Sequence, residues 1–281
     1  MRKENSLMPN KVRSGLNSGL DVLECIALSK HPLTLTETAE AVGMSKSSVH
    51  EVLATLERRG FVRRLDQRYA VGIKAWEIGC IAAPFEIGQV AGRHVAQLVR
   101  DVVDGASLGV LDGTDMVCVH LVDSPRAVRV HNNVGDRTPA HCISSGLAFL
   151  SCLDDEEICR LFPEKLEKAT ESTIGDRATL LKELKRVRAR GYAVCRGAWR
   201  IDVSGISVPV RGPHNKVVAA VCIAAPSYRV TDVWIARAKT PLLAAAAQIE
   251  RELGVTDPIG VGEVASRNKS METARKRASR R

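Results

Sequence analysis

Two groups of residues in this 281-residue chain have types and spacing that suit chemistry. The first is S-K-S-S-V-H-E, residues 45–51. It sets short hydroxyls, a cation, an imidazole and a carboxylate at the start of a helix whose inward positions are Val49, Val52, Leu53 and Leu56. Ser45 is an N-cap type, and Gly60 is the type that ends a helix in the left-handed region. Short side chains there let the backbone approach an anion closely, and the helix terminus attracts phosphate. Lys46 would neutralise phosphate, Ser47 and Ser48 would allow the approach, and His50 would meet a base or a phosphate. Glu51 is the odd member, because phosphates repel it. It either accepts a hydrogen bond from a cytosine amino group or turns away to pair with Arg58 or Arg63, and pairing is the favoured expectation. The second group is sulfur and imidazole: Cys142 beside His141, and Cys195. A Cys–His couple is a nucleophile arrangement, but adjacent side chains are expected to diverge. No G-x-S-x-G, P-loop, H-E-x-x-H or G-x-G-x-x-G stands in a fitting context. His120, His131 and His141 have no carboxylate at ligand spacing, so neither a metal nor a cofactor is expected.

The elements that must position the first group are legible upstream and downstream of it. Residues 18–30 have near-helical apolar spacing with Ser18 as a candidate cap, and H-P-L-T-L is extended. T-E-T-A-E-A-V-G opens on a Thr36 cap, carries Glu37 and Glu40 early, and stops at Gly43. Only G-M-S separates that helix from the next, which makes a helix-turn-helix. F-V-R-R-L and R-Y-A-V, joined at Asp66-Gln67, form a hairpin with Arg63, Arg64 and Arg68 near its tip. In such winged motifs the start of the second motif helix reaches the major groove, and wing cations meet phosphates.

Beyond Gly72 a helix runs to a break near Pro84 and a second helix runs to Gly105; the first either joins two domains or carries a dimer contact. Strands are expected at 106–111, 116–122, 127–131, 192–195, 203–210 and 217–226, and helices at 144–153, 154–162 and 177–191. A last helix over 232–253 should kink or split at Pro241. Hairpins alternating with helices indicate an α+β domain with a mostly antiparallel sheet.

Composition narrows the function classes. Hydrophobic residues are 45% and charged residues 26%, a globular profile. No apolar run reaches membrane-spanning length, and the polar N-terminus lacks a secretory core. The eight cysteines lie mostly in apolar stretches without C-x-x-C, so reduced, buried thiols of a cytoplasmic protein are expected. The net charge of +9 is uneven. Residues 1–72 hold 11 basic and 8 acidic residues, 73–265 hold 23 of each, and 266–281 hold 7 and 1. A neutral middle between basic ends suits a polyanionic partner, although the tail alone reads as a solvated segment.

Three blocks carry a family resemblance: PLTLTETAEAVGMSKSSVHEVLATLERRGFV, then SPRAVRVHNNVGDRTPAHCISSGLAFLS, then RGYAVCRGAWRIDVSGISVPV with VVAAVCIAAP. In this order and spacing the chain resembles the IclR family of bacterial transcriptional regulators over residues 16–253. The resemblance implies a flexible N-terminus (1–15), a winged helix-turn-helix domain (16–72), a linker helix (73–84), a GAF-like effector domain (85–256) and a disordered basic tail (257–281). It implies homodimers or tetramers on double-stranded promoter DNA in the cytoplasm, with RNA polymerase as a further candidate partner. Carried onto this sequence, the DNA-binding set is Thr36, Ser45, Lys46, Ser47, Ser48, His50, Glu51, Arg63 and Arg68. The effector set is Ser144 and Ser145, which offer backbone N–H groups after His141, with Cys195, Val203, Gly205, Cys222 and Ala224. At Cys195, Cys222 and Ala224 other members carry an acid or serines. That departure disfavours a very small acid such as glyoxylate and favours a larger organic acid, aromatic catabolites included, with its carboxylate on the 144–145 amides. Arg200 and Arg129 are secondary candidates to face it, and surface ion pairing is favoured for both. A GAF-like sensor acting through a protein partner and a cysteine-dependent enzyme are the competing readings.

Overall fold

The first helix, α1 (Gly15–Leu28), buries Val22 and Ile26, one turn apart, against the next two helices. It starts ahead of Ser18, which lies inside it and is buried, so Ser18 is not its cap. Strand β1 (Leu33–Thr34) leads into α2 (Leu35–Val42). The cap of α2 is Thr34, not Thr36. The Thr34 side chain accepts from the Glu37 N–H, and the Thr34 N–H donates to Glu37 Oε2 at 2.7 Å, which closes a capping box. The spacing T-x-x-E fits 34–37; three residues after Thr36 stands Ala39, which cannot reciprocate. Gly43, at φ 62°, makes the left-handed turn that any side chain would strain, and α3 (Lys46–Arg58) follows with Ser45 as its cap. Strands β2 (Val62–Leu65) and β3 (Arg68–Val71) form the wing hairpin, and β1 adds a third strand beside β3. Val49, Leu53, Ala39, Val42, Val62 and Tyr69 complete this core. Helix α4 (Ile73–Ala82) follows, over the stretch expected as a linker.

This computed structural model describes residues 15–29, 31–82 and 86–255, and the chain divides into two compact units between residues 84 and 85. The expected flexible N-terminus, the break at Pro84 and the basic tail lie outside the described residues.

The second unit begins with α5 (Glu86–Val102), whose Ile87, Ala91, Val95, Leu98 and Val99 make one apolar stripe. Strands β4 (Gly105–Asp112) and β5 (Asp115–Val122) form a hairpin. Strand β6 (Arg137–Pro139) and a short 3-10 turn (Ala140–Cys142) lead to α6 (Ser144–Leu150), α7 (Asp155–Leu161) and α8 (Arg177–Arg190). Strands β7 (Ala193–Arg196), β8 (Val203–Arg211) and β9 (Val217–Pro226) precede α9 (Asp232–Glu252). The six strands run in the order β6-β5-β4-β9-β8-β7, and every neighbouring pair is antiparallel. Helices cover both faces. Alternate residues Ile206, Val208 and Val210 of β8, and Ala219, Val221 and Ile223 of β9, pack with α5 and α9. The other face carries a second core of α6, α7 and α8 around Leu147, Leu150, Ile158, Leu180 and Leu184.

One expectation fails here and a second is narrowed. Residues 127–131 are not a strand; the third strand of this region is β6, in a stretch where no element is expected. Val128 is 59% exposed, so its β-branched character has no sheet to satisfy. Pro241 does not split α9, which runs unbroken for 21 residues. Its ring removes the N–H that would bond the carbonyl of Arg237, and that residue is exposed, so water can satisfy the freed carbonyl. Among the described residues, no helix is long and apolar enough to cross a membrane.

Candidate functional site

The N-terminus of α3 presents Lys46, Ser47, His50 and Glu51 to solvent, while Val49 and Leu53 point into the core at 0% exposure. The serines are ordered by one another. Ser45 Oγ accepts from the Ser48 N–H at 3.2 Å and lies 2.9 Å and 2.8 Å from the hydroxyls of Ser47 and Ser48. The turn is therefore fixed before any partner arrives, with Lys46 exposed beside it. Glu51 has no ion pair or hydrogen bond among the described residues, so the favoured pairing with Arg58 or Arg63 does not form. Its carboxylate faces water.

The three wing arginines are not equivalent. Arg63 is exposed and uncommitted among the described residues. Arg64 donates from Nε to the Asp66 carbonyl and lies over the Tyr69 ring. Arg68, expected on phosphate, instead donates to the Pro32 carbonyl at 2.9 Å and to Glu37 Oε2 at 3.1 Å. It ties the wing to the capping box, because the β1–β3 pairing brings position 68 beside Thr34. Thr36, half-buried in the first turn of α2, is likewise not the cap that its assignment assumed.

In the second unit, all seven residues of the expected effector set line one cavity on the α6 side of the sheet. With its open mouth it encloses about 810 Å³. Strand alternation explains the selection: Ser107 of β4 and Ser207 of β8 both stand opposite Cys222 of β9, and Gly205 stands opposite Ala224. Ser144 Oγ is 2.7 Å from Ser207 Oγ and 3.6 Å from Cys222 Sγ, which anchors the start of α6 to the floor. A Cβ on Gly205 would sit 2.9 Å from the Ile223 carbonyl oxygen and 3.1 Å from Ser144 Oγ, so glycine keeps that contact open. Gly146 permits an even closer approach, since a Cβ there would fall 2.0 Å from the Ala140 carbonyl oxygen.

Sequence reasoning missed Ser107, Gly109, Cys118, Cys142 and Trp199 in this lining. The signal for two of them was present: Ser107 and Gly109 are small residues at alternate positions of an otherwise apolar strand. The wall is rich in thiols, and burial pushes them up: Cys118 and Cys195 to about 11, Cys142 to about 12, and Cys222 in the same direction. All four are neutral at neutral pH, which leaves no thiolate nucleophile. Cys142 and His141 do meet, contrary to expectation, with Sγ 3.4 Å from Nε2. However, Nε2 also lies 2.9 Å from the Glu167 carbonyl, which can only accept, so that nitrogen carries the proton and cannot take another from the thiol. Among the described residues, no three His, Cys, Asp or Glu side chains converge as a metal set.

Arg200 lies at the exposed rim of the cavity and also borders a second hollow lined by Val128, Arg129, His131, Asp202 and Tyr228. Arg129 approaches Asp123 at 4.0 Å, the surface pairing expected of it. Arg200 makes no such pair among the described residues.

The chain matches two family profiles: the IclR helix-turn-helix domain over residues 16–66, and the bacterial transcriptional regulator IclR C-terminal region over residues 80–251. It is 28% identical over 247 residues to the acetate operon repressor of Salmonella typhimurium, covering 86% of this chain and 90% of that one. It is 33% identical over 208 residues to the HTH-type transcriptional regulator Rv1719 of Mycobacterium tuberculosis, covering 72% and 79%. The crystal structure of an IclR homologue from Microbacterium hydrocarbonoxydans, complexed with 4-hydroxybenzoate, shares the fold at a TM-score of 0.75, with 24% identity over 86% of this chain and all of that one.

Proposed function

Because this chain belongs to the IclR family of bacterial transcriptional regulators, with a DNA-binding domain and a C-terminal effector domain, we propose that it controls a catabolic operon by sensing a small organic acid. The observation that carries this reading is the cavity beneath α6, whose wall of neutral thiols, Gly205 and Ala224 offers room and polarisability. Such a wall suits a body larger and more apolar than glyoxylate, aromatic acids included. DNA is read by the start of α3, with Arg63 on the wing contacting phosphate. Dimers or tetramers present two such helices to a palindrome. A cytoplasmic location follows from that partner.

Glu51 sharpens the DNA half of the proposal. Having no partner among the described residues, it acts as a base reader that accepts from a cytosine amino group. A gel shift on the upstream intergenic region tests both points. Replacing Lys46 and Ser47 with Ala should abolish the shift, and wild-type affinity should fall steeply with salt. Glu51→Arg should change which operator sequences bind; uniformly tighter binding to any DNA would remove its reading role. For the effector half, calorimetric titration of the whole protein should rank acids such as benzoate and 4-hydroxybenzoate above glyoxylate. Tighter binding of glyoxylate than of every aromatic acid would overturn that half.

A further inference from the structure

We infer that the ligand's acid group seats at the mouth of the cavity on Arg200, with its uncharged body pointing inward to the thiol-lined floor. This deepens the acid-sensing reading and rests on it. It reverses the orientation in which the carboxylate lies inside on the amides of Ser144 and Ser145.

Charge placement argues for the mouth. A carboxylate taken out of water needs a countercharge or several hydrogen bonds, or its desolvation goes uncompensated. Arg200 is the one basic residue among those lining the cavity on the α6 side of the sheet. The floor is neutral, since its thiols are protonated and the Ser144 hydroxyl is engaged by Ser207. Asp136, the one acid in the lining, repels a carboxylate from its own wall.

Availability argues for the same residue. The surrounding arginines are spoken for: Arg196 binds Asp232 and the Val230 carbonyl, Arg229 and Arg126 bind Asp104, and Arg129 faces Asp123. Arg200 alone among these has no partner among the described residues, yet its backbone is pinned. The Val203 N–H donates to the Arg200 carbonyl at 3.0 Å, and the Gly197 N–H donates to Val203 O at 3.0 Å. The Thr170 and Thr173 hydroxyls donate to the carbonyls of Gly197 and Ala198, which hold the base of this loop to the body of the domain. A fixed stem with a free guanidinium is pre-organised for an incoming carboxylate, to which it can make two parallel N–H···O bonds. The ligand class is therefore a monoanionic acid whose aryl or alkyl body is uncharged and long enough to reach the floor.

The experiment titrates the full-length protein with benzoate and phenylacetate and with their uncharged amides, benzamide and phenylacetamide. It compares wild type, Arg200→Ala and Arg200→Lys, with an unchanged thermal midpoint confirming that each is folded. Arg200→Ala should weaken both acids tenfold or more and leave the amides within twofold, and Arg200→Lys should recover part of the acid affinity. Acid affinity within twofold of wild type in Arg200→Ala overturns the inference and returns the carboxylate to the 144–145 amides. Equal weakening of acids and amides also overturns it, because the arginine then acts on cavity shape. If neither acid binds wild type, the acid-sensing reading itself falls.

Discussion

Thr34 and Thr36 stand two positions apart and do different work. Thr34 closes the capping box of α2 and its partner Glu37 also receives Arg68, so one residue joins a helix start to the wing. Thr34→Ala should cost about 1 kcal/mol in urea unfolding of the whole chain, whereas Thr36→Ala should stay within about 0.5 kcal/mol. The effect has a pH signature. Hydrogen bonds from Thr34 hold the Glu37 carboxyl below its usual range, with Arg68 adding to them. A depressed folded pKa means the box stabilises above the unfolded pKa and loses that contribution as pH falls through the folded one. The Thr34→Ala deficit should therefore shrink in acid. At this scale the sequence was partly readable. Ser45, Gly43 and the inward face of α3 follow from residue type and spacing, while the partners of Arg68 do not, because they depend on the β1–β3 pairing that brings positions 68 and 34 together.

Among the elements, α6 is the most tightly constrained. It is seven residues long, all of them buried, and its approach to the Ala140 carbonyl tolerates no side chain at position 146. Gly146→Ala should destabilise the effector domain by about 3 kcal/mol or more and abolish ligand binding, measured by urea unfolding and calorimetry. The elements that the sequence placed well have a periodic face to bury: α5, α8, β8 and β9 all do. Those it misplaced lack one. Residues 127–131 alternate like a strand but lie against no sheet, and β6 has only three residues, Arg-Thr-Pro, set by pairing with 115–117 of β5. Seven lining residues of the cavity were named from the family pattern, yet Cys118 and Trp199 enter from β5 and from the loop before β8, whose convergence only the sheet order reveals.

Across the whole molecule, three cores divide the labour: one of Val22, Val49 and Leu53 under the helix-turn-helix, and two that sandwich the six-stranded sheet. Leu53 is fully buried, so Leu53→Ala should cost about 2–5 kcal/mol within the first unit. Hydrogen exchange should speed up across residues 16–71 and stay slow in β8 and β9; equal acceleration in both regions would mean that the units fold as one. The alternation along β8 and β9 carries a last consequence. One face of these strands is sealed under α5 and α9, and the other meets whatever occupies the cavity. On the proposed reading, substitutions at 107, 222 and 224 would alter chemical selectivity without reopening the seal, so descendants of this scaffold would be free to acquire new inducers by point mutation while inheriting the fold intact.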